Sequence, residues 1–115
     1  AITRYMTALN DDHIHAQQSA MGTKRNTVIS FSHFLPRIDL MPSYIPKKHR
    51  ILYPVLGSTI IEDQVRQLAP TIHVYGHSHV NRDIEIDGIQ YINNAFGYPK
   101  ETRIAAKELL CIYAL

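Results

Sequence analysis

Two short apolar runs, rich in β-branched and aromatic residues, constrain the fold of this chain more than any other feature. They span residues 27–31 and 71–75, and a histidine follows each run by two positions. Runs of this kind favour buried strands. Between them, the stretch from Ser58 to Pro70 has the apolar spacing of an amphipathic helix, and Pro70 ends it. The order strand, helix, strand predicts an α/β fold with two parallel strands.

The remaining segments fit around this unit. Residues 2–20 carry apolar side chains at helical intervals and predict one long N-terminal helix. Residues 35–56 predict an extended surface excursion without a long regular element, because four prolines interrupt them: Pro36, Pro42, Pro46 and Pro54. Residues 83–92 alternate in hydrophobicity around Asp87 and Gly88, which predicts a β-hairpin. Residues 109–114 predict a final strand.

Composition limits the possible function classes. The chain has 115 residues, enough for one domain or part of one, and 45% of them are hydrophobic. A net charge of +2 is too balanced to indicate a nucleic-acid partner. The apolar runs are far too short for a membrane span, so no membrane partner and a cytoplasmic location are expected. The single cysteine, Cys111, lies in an apolar run and is expected to be a small buried side chain.

Three histidines follow the two predicted parallel strands. His33 follows the first strand, and His77 and His79 follow the second. The carboxyl ends of parallel strands meet at one edge of a sheet, and imidazole is the commonest metal ligand. An extended backbone would turn both rings of the pair to one side, and Gly76 allows a sharp turn before them. We therefore predict a metal site of His33, His77 and His79, while His73, inside the strand, is expected to be structural.

A competing metal site lies near the N-terminus. Asp11 and His15 would be one helical turn apart, which is a workable pair of ligands. Short charged clusters on the exposed face of a helix are common. No predicted strand precedes the N-terminal helix, so nothing directs these two side chains to the sheet edge. We therefore rank this pair below the three histidines.

Three sequence elements together resemble a known family. They are VISFSHFLP at residues 28–36, VYGHSH at residues 74–79 and DGIQYINN at residues 87–94. In combination they resemble the C-terminal half of the calcineurin-like metallophosphoesterases, from about residue 27 to the C-terminus. The resemblance implies a four-layer α/β/β/α sandwich, of which residues 1–115 form a single or partial domain, the C-terminal half, with the N-terminal half absent. It also implies two divalent transition metals (Mn, Fe or Zn) whose bridging hydroxide attacks a phosphate ester.

The resemblance assigns His33 and His77 to one metal and His79 to the other. The family also uses Asp-x-His, Gly-Asp and Asn-His motifs in its N-terminal half, and these are not found here in that order. Asp11 and His13 spell Asp-x-His, but they lie too close to His33 for the other motifs to intervene. We therefore expect no complete catalytic set in this chain, an inactive isolated chain, and the missing N-terminal half of the same protein as its partner.

Two other functions remain open: a non-catalytic scaffold that uses the half-fold, and a small protein that binds a single metal through its histidines. Arg37 lies four residues past His33, and its guanidinium suits bidentate binding of a substrate phosphate. Three tyrosines could line a site for a nucleobase or an aromatic leaving group, although packing of loops against the sheet is the favoured role: Tyr44, Tyr53 and Tyr98. A half-sandwich would also leave a sheet edge and apolar surface open, so self-association is expected.

Overall fold

A mixed four-stranded sheet organises the part of the chain that this computed structural model describes, residues 2–22 and 27–115. The strands are β1 (Ile29–Phe31), β2 (Ile72–Val74), β3 (Arg82–Ile86) and β4 (Ile89–Asn93). Strands β1, β2 and β4 run parallel, and β3 pairs antiparallel with β4, in the spatial order β1-β2-β4-β3. The α-helices of the described residues are α1 (Ile2–Ala8), α2 (Asp11–Met21) and α3 (Thr59–Leu68). The predicted α/β class and the parallel pairing of the first two strands are confirmed.

Helix α3 connects β1 to β2 much as the sequence predicts. Ser58 is its N-cap, and the Ser58 hydroxyl accepts a hydrogen bond from the Ile60 amide at 3.2 Å. The helix ends at Ala69, which has the left-handed φ of 47°, and Pro70 follows. Val65 on its buried face packs into the core beside Tyr75 and other residues under the sheet. Local capping and an apolar stripe thus suffice to define this helix.

The hairpin of β3 and β4 turns at Asp87 and Gly88. Both residues have positive φ, 49° and 81°. Positive φ at both central residues is the geometry of a type I′ turn, which matches the twist of antiparallel strands. The predicted hairpin is therefore confirmed, with its strands starting and ending within one residue of the predicted bounds.

The helix predicted over residues 2–20 is confirmed except at Leu9 and Asn10, where a turn divides it into α1 and α2. The amide side chain of Gln64 on α3 donates a hydrogen bond to the Thr7 carbonyl at 2.6 Å, and that carbonyl therefore has a partner outside its own helix. The Asn10 amide closes a tight turn onto the same carbonyl, and the Ile14 amide then bonds to the Asn10 carbonyl as α2 begins. The contact between Gln64 and Thr7 thus accompanies the end of α1, although the apolar periodicity of the sequence continues through this point.

The proline-rich segment of residues 35–56 lies at the surface only in part, since Lys47–Val55 has no buried residue whereas Leu35 and Leu40 are buried. In place of an α-helix or strand it has two 3₁₀ segments, Ile38–Leu40 and Lys47–Val55. Leu35 and Leu40 are each only 1% exposed and belong to the main hydrophobic core. The expectation of a surface excursion is corrected accordingly, since prolines exclude regular elements but leave apolar side chains free to be buried.

The predicted final strand at residues 109–114 is also wrong. This segment has no regular secondary structure, and Cys111 is exposed rather than buried. Thr27 and Tyr113 share a side-chain hydrogen bond of 3.2 Å, so the segment reaches the start of β1. A β-prone composition makes a strand only where a neighbouring edge offers ladder partners, and this segment forms no ladder with any strand of the described chain.

The two faces of the sheet differ in how well they are covered. Ser30, His73 and Tyr91 are in register on one face and are buried. The opposite face carries Ile29 and Phe31 on the edge strand β1, and these side chains are 40% and 84% exposed. Apolar surface on this face is therefore open at β1, whereas Ile72 of β2 and Ile92 of β4 on the same face are buried. Among residues 2–22 and 27–115, no helix combines the length and apolar character needed to cross a membrane.

Candidate metal centre

His33 and His77 meet at the carboxyl edge of the parallel strands. His33 follows β1 and His77 follows β2, and the Gly76 amide donates to the His33 carbonyl at 3.1 Å. Nε2 of His33 lies 3.0 Å from Nδ1 of His77. The Phe34 ring packs against both imidazoles, with ring centroids 5.0 and 4.8 Å away. The structure thus brings together two of the predicted ligands. We call His33, His77 and His79 the histidine cluster.

The loop that carries His77 and His79 has an unusual backbone. The φ angles of the two histidines are 65° and 58°, in the left-handed region. Such a conformation costs a residue other than glycine about 1–3 kcal/mol and clusters at functional sites, although it also occurs in turns and helix caps, as at Asp87 and Ala69. The expectation of an extended backbone with both rings on one side is therefore wrong: His77 contacts His33, whereas His79 contacts a different partner.

Asn93, the last residue of β4, ties down this loop. The side-chain nitrogen of Asn93, Nδ2, donates to the Ser78 hydroxyl at 3.0 Å, and the Gly76 carbonyl oxygen lies 3.5 Å from the same nitrogen. The Ser78 hydroxyl also accepts from the Val80 amide at 3.3 Å. Asn93 is 2% exposed, and its side-chain oxygen, Oδ1, has no hydrogen-bond partner in the described chain. These bonds help to hold the strained loop in one conformation.

His79 pairs with Glu101. Its Nδ1 lies 2.9 Å from a Glu101 carboxylate oxygen, which also accepts the Tyr98 amide proton at 2.6 Å. The Tyr98 amide, followed by His79, holds the pKa of Glu101 below its usual value. A carboxylate on one ring nitrogen is the usual partner of a metal-binding imidazole, because it orients the ring. Sequence reasoning missed Glu101, since a lone glutamate 22 residues away carries no local signal.

The charge state of His77 suits metal binding. Burial lowers the pKa of His77, and the neighbouring charges of His33 and then His79 lower it further. The imidazole is therefore neutral near neutral pH. A metal binds the neutral form of imidazole, so a lowered pKa removes the competing proton.

The geometry fits part of a metal site. Two imidazole nitrogens that bind one zinc ion at about 2.0–2.1 Å in tetrahedral geometry lie about 3.4 Å apart. The 3.0 Å between His33 Nε2 and His77 Nδ1 is close to this separation. Within residues 2–22 and 27–115, however, no three His, Cys, Asp or Glu residues form a group that could hold a metal ion. The described chain therefore offers a pair of ligands, with His79 oriented separately by Glu101.

Arg37 is not brought together with the histidine cluster. Its guanidinium forms a bidentate pair with Asp39, at 2.9 and 2.8 Å, and contacts Glu62 at 3.2 Å. It also lies 3.7 Å from Asp87, in the hairpin turn at the far end of β4 from Asn93. Hydrogen bonding to Asp39 is the main reason why the pKa of Arg37 is raised. The role of Arg37 in substrate binding stays a prediction, and a phosphate there would have to compete with these carboxylates.

The competing pair of Asp11 and His15 lies on α2. The Asp11 carboxylate accepts a hydrogen bond from the Gln64 side chain at 3.1 Å, so it takes part in the contact between the N-terminal helices and α3. Both residues are exposed. The structure gives Asp11 a packing role and shows no third candidate ligand beside the pair in the described residues.

No protein-family model and no curated protein sequence matches this chain. The resemblance to the metallophosphoesterases therefore stays a prediction that depends on the motifs and on the geometry of the site.

Proposed function

We propose that the chain contributes His33, His77 and His79 to the two-metal centre of a phosphoesterase that hydrolyses phosphomonoesters or phosphodiesters. The observation that carries this proposal is the 3.0 Å approach of His33 and His77 at the carboxyl edge of two parallel strands. The remaining ligands, including a bridging carboxylate, would come from residues outside this chain. On its own, the chain would bind metal without completing the catalytic site.

The metals, when bound, would lower the pKa of a bridging water and neutralise charge on the phosphate oxygens in an in-line displacement. The residues of the chain prepare the site for them. His33 and His77 present neighbouring nitrogens, and Glu101 fixes the orientation of the His79 ring. His33 and His77 contact each other, whereas His79 contacts Glu101. This arrangement supports the assignment that the resemblance implies, with His33 and His77 on one metal and His79 on the other.

The apolar side chains exposed on β1 support the finer fold prediction. A four-layer α/β/β/α sandwich requires a second sheet to pack on the face that carries Ile29 and Phe31, and Phe31 is largely exposed there. We propose that the N-terminal half of the same protein covers this face, and that self-association replaces it when the chain is alone. A cytoplasmic location is part of the same proposal.

One observation favours a second candidate function, the binding of a single metal. The histidine cluster offers two converging nitrogens rather than a full ligand set within the described chain. A protein with this function would bind one metal ion per chain and would hydrolyse no phosphate ester in any context.

Titration of the chain with Zn²⁺ and with Mn²⁺ in a calorimeter tests both candidates. We expect Zn²⁺ to bind the unmodified chain, and the substitutions His33→Ala and His77→Ala each to weaken binding by about tenfold or more. His49→Ala is the matched control because His49 is exposed on the 3₁₀ segment of residues 47–55. The Zn²⁺ affinity of His49→Ala should equal that of the unmodified chain.

Equal losses for His33→Ala and His49→Ala would show that binding is non-specific and would remove the basis of the proposal. A loss confined to His15→Ala would instead place the metal on α2. To separate the two candidate functions, the chain is mixed with an N-terminal half that carries the three missing motifs, and hydrolysis of p-nitrophenyl phosphate and of its bis-ester is measured. Activity that His33→Ala abolishes supports the phosphoesterase, whereas metal binding without activity supports the single-metal protein.

A further inference from the structure

We infer that His73, a buried histidine outside the histidine cluster, is a positioning residue that fixes the loop carrying His33. His73 lies in β2 and is 1% exposed. The chain places a serine near each of its two ring nitrogens. This inference rests on the proposed function only in its consequence for metal binding, since the positioning itself can be measured without metal.

A chain of hydrogen bonds connects the His73 ring to the backbone on the far side of His33. Nδ1 of His73 lies 2.8 Å from the Ser30 hydroxyl, and Nε2 lies 3.0 Å from the Ser32 hydroxyl. The Ser32 hydroxyl in turn donates to the Phe34 carbonyl at 2.7 Å. Ser32 and Phe34 flank His33, so this bridge fixes the segment from which the His33 ring projects.

The proton count along this chain assigns the tautomer of His73. A serine hydroxyl has one proton, and that of Ser32 goes to the Phe34 carbonyl, which can only accept. Ser32 must therefore accept from His73, and Nε2 carries the ring proton. Nδ1 is left as an acceptor for the Ser30 hydroxyl. A neutral ring satisfies every one of these hydrogen bonds. Burial disfavours the charged ring and therefore lowers the pKa of His73 to about 4.

The same segment is coupled to His77 through the backbone. The Gly76 amide, one residue before His77, donates to the His33 carbonyl at 3.1 Å, and the Ser32 amide donates to the Val74 carbonyl at 2.9 Å. Fixing residues 32–34 therefore also fixes the backbone positions from which the His33 and His77 rings project. A histidine that only fills space in the core would need neither the Nε2 proton nor Ser32.

Two serine substitutions separate positioning from core packing. Ser32→Ala removes the bridge to the Phe34 carbonyl, whereas Ser30→Ala touches the same ring and leaves that bridge intact. In the metal-free chain, we expect Ser32→Ala to speed hydrogen exchange of the Gly76 amide by about tenfold, and Ser30→Ala to change it by less than about threefold. Equal effects of the two substitutions, or none, would overturn the inference.

Amide substitutions of His73 add a rescue test. The side-chain nitrogen of glutamine occupies about the position of Nε2, and that of asparagine about the position of Nδ1. His73→Gln should therefore keep the donor to Ser32 and the slow exchange of Gly76, while His73→Asn should lose both. Long-range ¹H–¹⁵N spectra of the unmodified chain should show the tautomer with the proton on Nε2. A proton on Nδ1 would contradict the assigned bond to Ser32.

Zn²⁺ affinity distinguishes this inference from the proposed function. We expect Ser32→Ala and His73→Asn to weaken Zn²⁺ binding by about tenfold, and Ser30→Ala and His73→Gln to stay within about threefold. If the unmodified chain binds no Zn²⁺, the proposed function fails while the exchange measurements still decide whether His73 positions the loop. Unchanged affinity in Ser32→Ala together with fast Gly76 exchange would confine the role of His73 to the loop backbone and overturn its consequence for metal binding.

Discussion

The two ends of the sheet both carry clusters of charged or titratable side chains, but the clusters are built differently. At the end near the hairpin turn, Arg37, Glu62, Arg66, Asp87 and Tyr91 bind one another, and we call them the turn cluster. Glu62 accepts from both arginines and from the Tyr91 hydroxyl, at distances from 2.9 to 3.2 Å. At the carboxyl end, the histidine cluster lies on a left-handed backbone, and its nitrogens contact one another or Glu101.

This difference separates a structural polar cluster from a candidate ligand site. In the turn cluster opposite charges are paired, and Glu62 of α3 accepts a hydrogen bond from the Tyr91 hydroxyl of β4. In the histidine cluster Nε2 of His33 lies within hydrogen-bond distance of Nδ1 of His77, and the left-handed φ of His77 and His79 is of a kind that clusters at functional sites. The same sheet thus has one end at which opposite charges are paired and another at which two histidines adopt a left-handed φ. Four substitutions or conditions test this contrast, in order of decreasing effect.

The largest effect is expected from Glu62→Gln in the turn cluster. The change leaves Arg37 and Arg66 without their shared anion and weakens the acceptor of the buried Tyr91 hydroxyl. We expect the free energy of unfolding to fall by about 3–4 kcal/mol, measured by urea denaturation. Asp63→Asn on the exposed side of α3 is the control and should change it by less than about 0.5 kcal/mol. Equal effects would show that the turn cluster has no special role in stability.

Acidification should weaken the fold through His73. Burial is the main cause that lowers its pKa to about 4 in the folded chain, whereas the unfolded chain binds the proton at about pH 6.5. Stability is therefore complete above about pH 6.5 and declines as the pH falls towards 4, by about 3 kcal/mol in total. The measurement compares urea denaturation of the unmodified chain and of His73→Gln between these pH values.

The variant His73→Gln should lose this part of the pH dependence, and His49→Gln should retain it. Parallel curves for His73→Gln and the unmodified chain would show that His73 does not resist protonation in the folded state.

A smaller loss is expected when alanine replaces Gly97, near the histidine cluster. Gly97 has a φ of 63°, and a Cβ at this position would collide with the Glu101 carboxylate that holds His79. We expect a loss of about 2 kcal/mol. Gly88→Ala in the hairpin turn is the matched control, because Gly88 also has a positive φ, 81°, but has open space around its Cβ position. Gly88→Ala should lower the free energy of unfolding by about 1 kcal/mol. An equal loss for both variants would show that the collision with Glu101 does not contribute.

The smallest effect has the opposite sign. His77→Gly should raise the free energy of unfolding by about 1 kcal/mol, because glycine adopts the left-handed φ of this position without strain. His49→Gly, in a 3₁₀ segment, is the control and should lower it by about 0.5–1 kcal/mol. A stabilised chain that binds Zn²⁺ more weakly would show that strain at His77 is maintained for the site. Destabilisation by His77→Gly would place the strain elsewhere.

Much of the local structure follows from the sequence. Ser58 and Pro70 define α3, Asp87 and Gly88 define the hairpin, and two β-branched runs define the parallel pair. These features depend on residues close together in the chain, so caps, turns and periodicity identify them. The approach of His33 and His77 was also predictable, because parallel strands place their carboxyl ends at one edge.

Other features depend on contacts between distant residues, which a single sequence does not reveal. Gln64 contacts the end of α1, Glu101 turns the His79 ring away from its predicted direction, and Asp39 with Glu62 engages Arg37. The sequence alone determined which residue types meet at the carboxyl edge. Only the tertiary structure decided the backbone conformation and the partner of each ring there, because long-range hydrogen bonds and packing outweigh local preferences of about 1 kcal/mol.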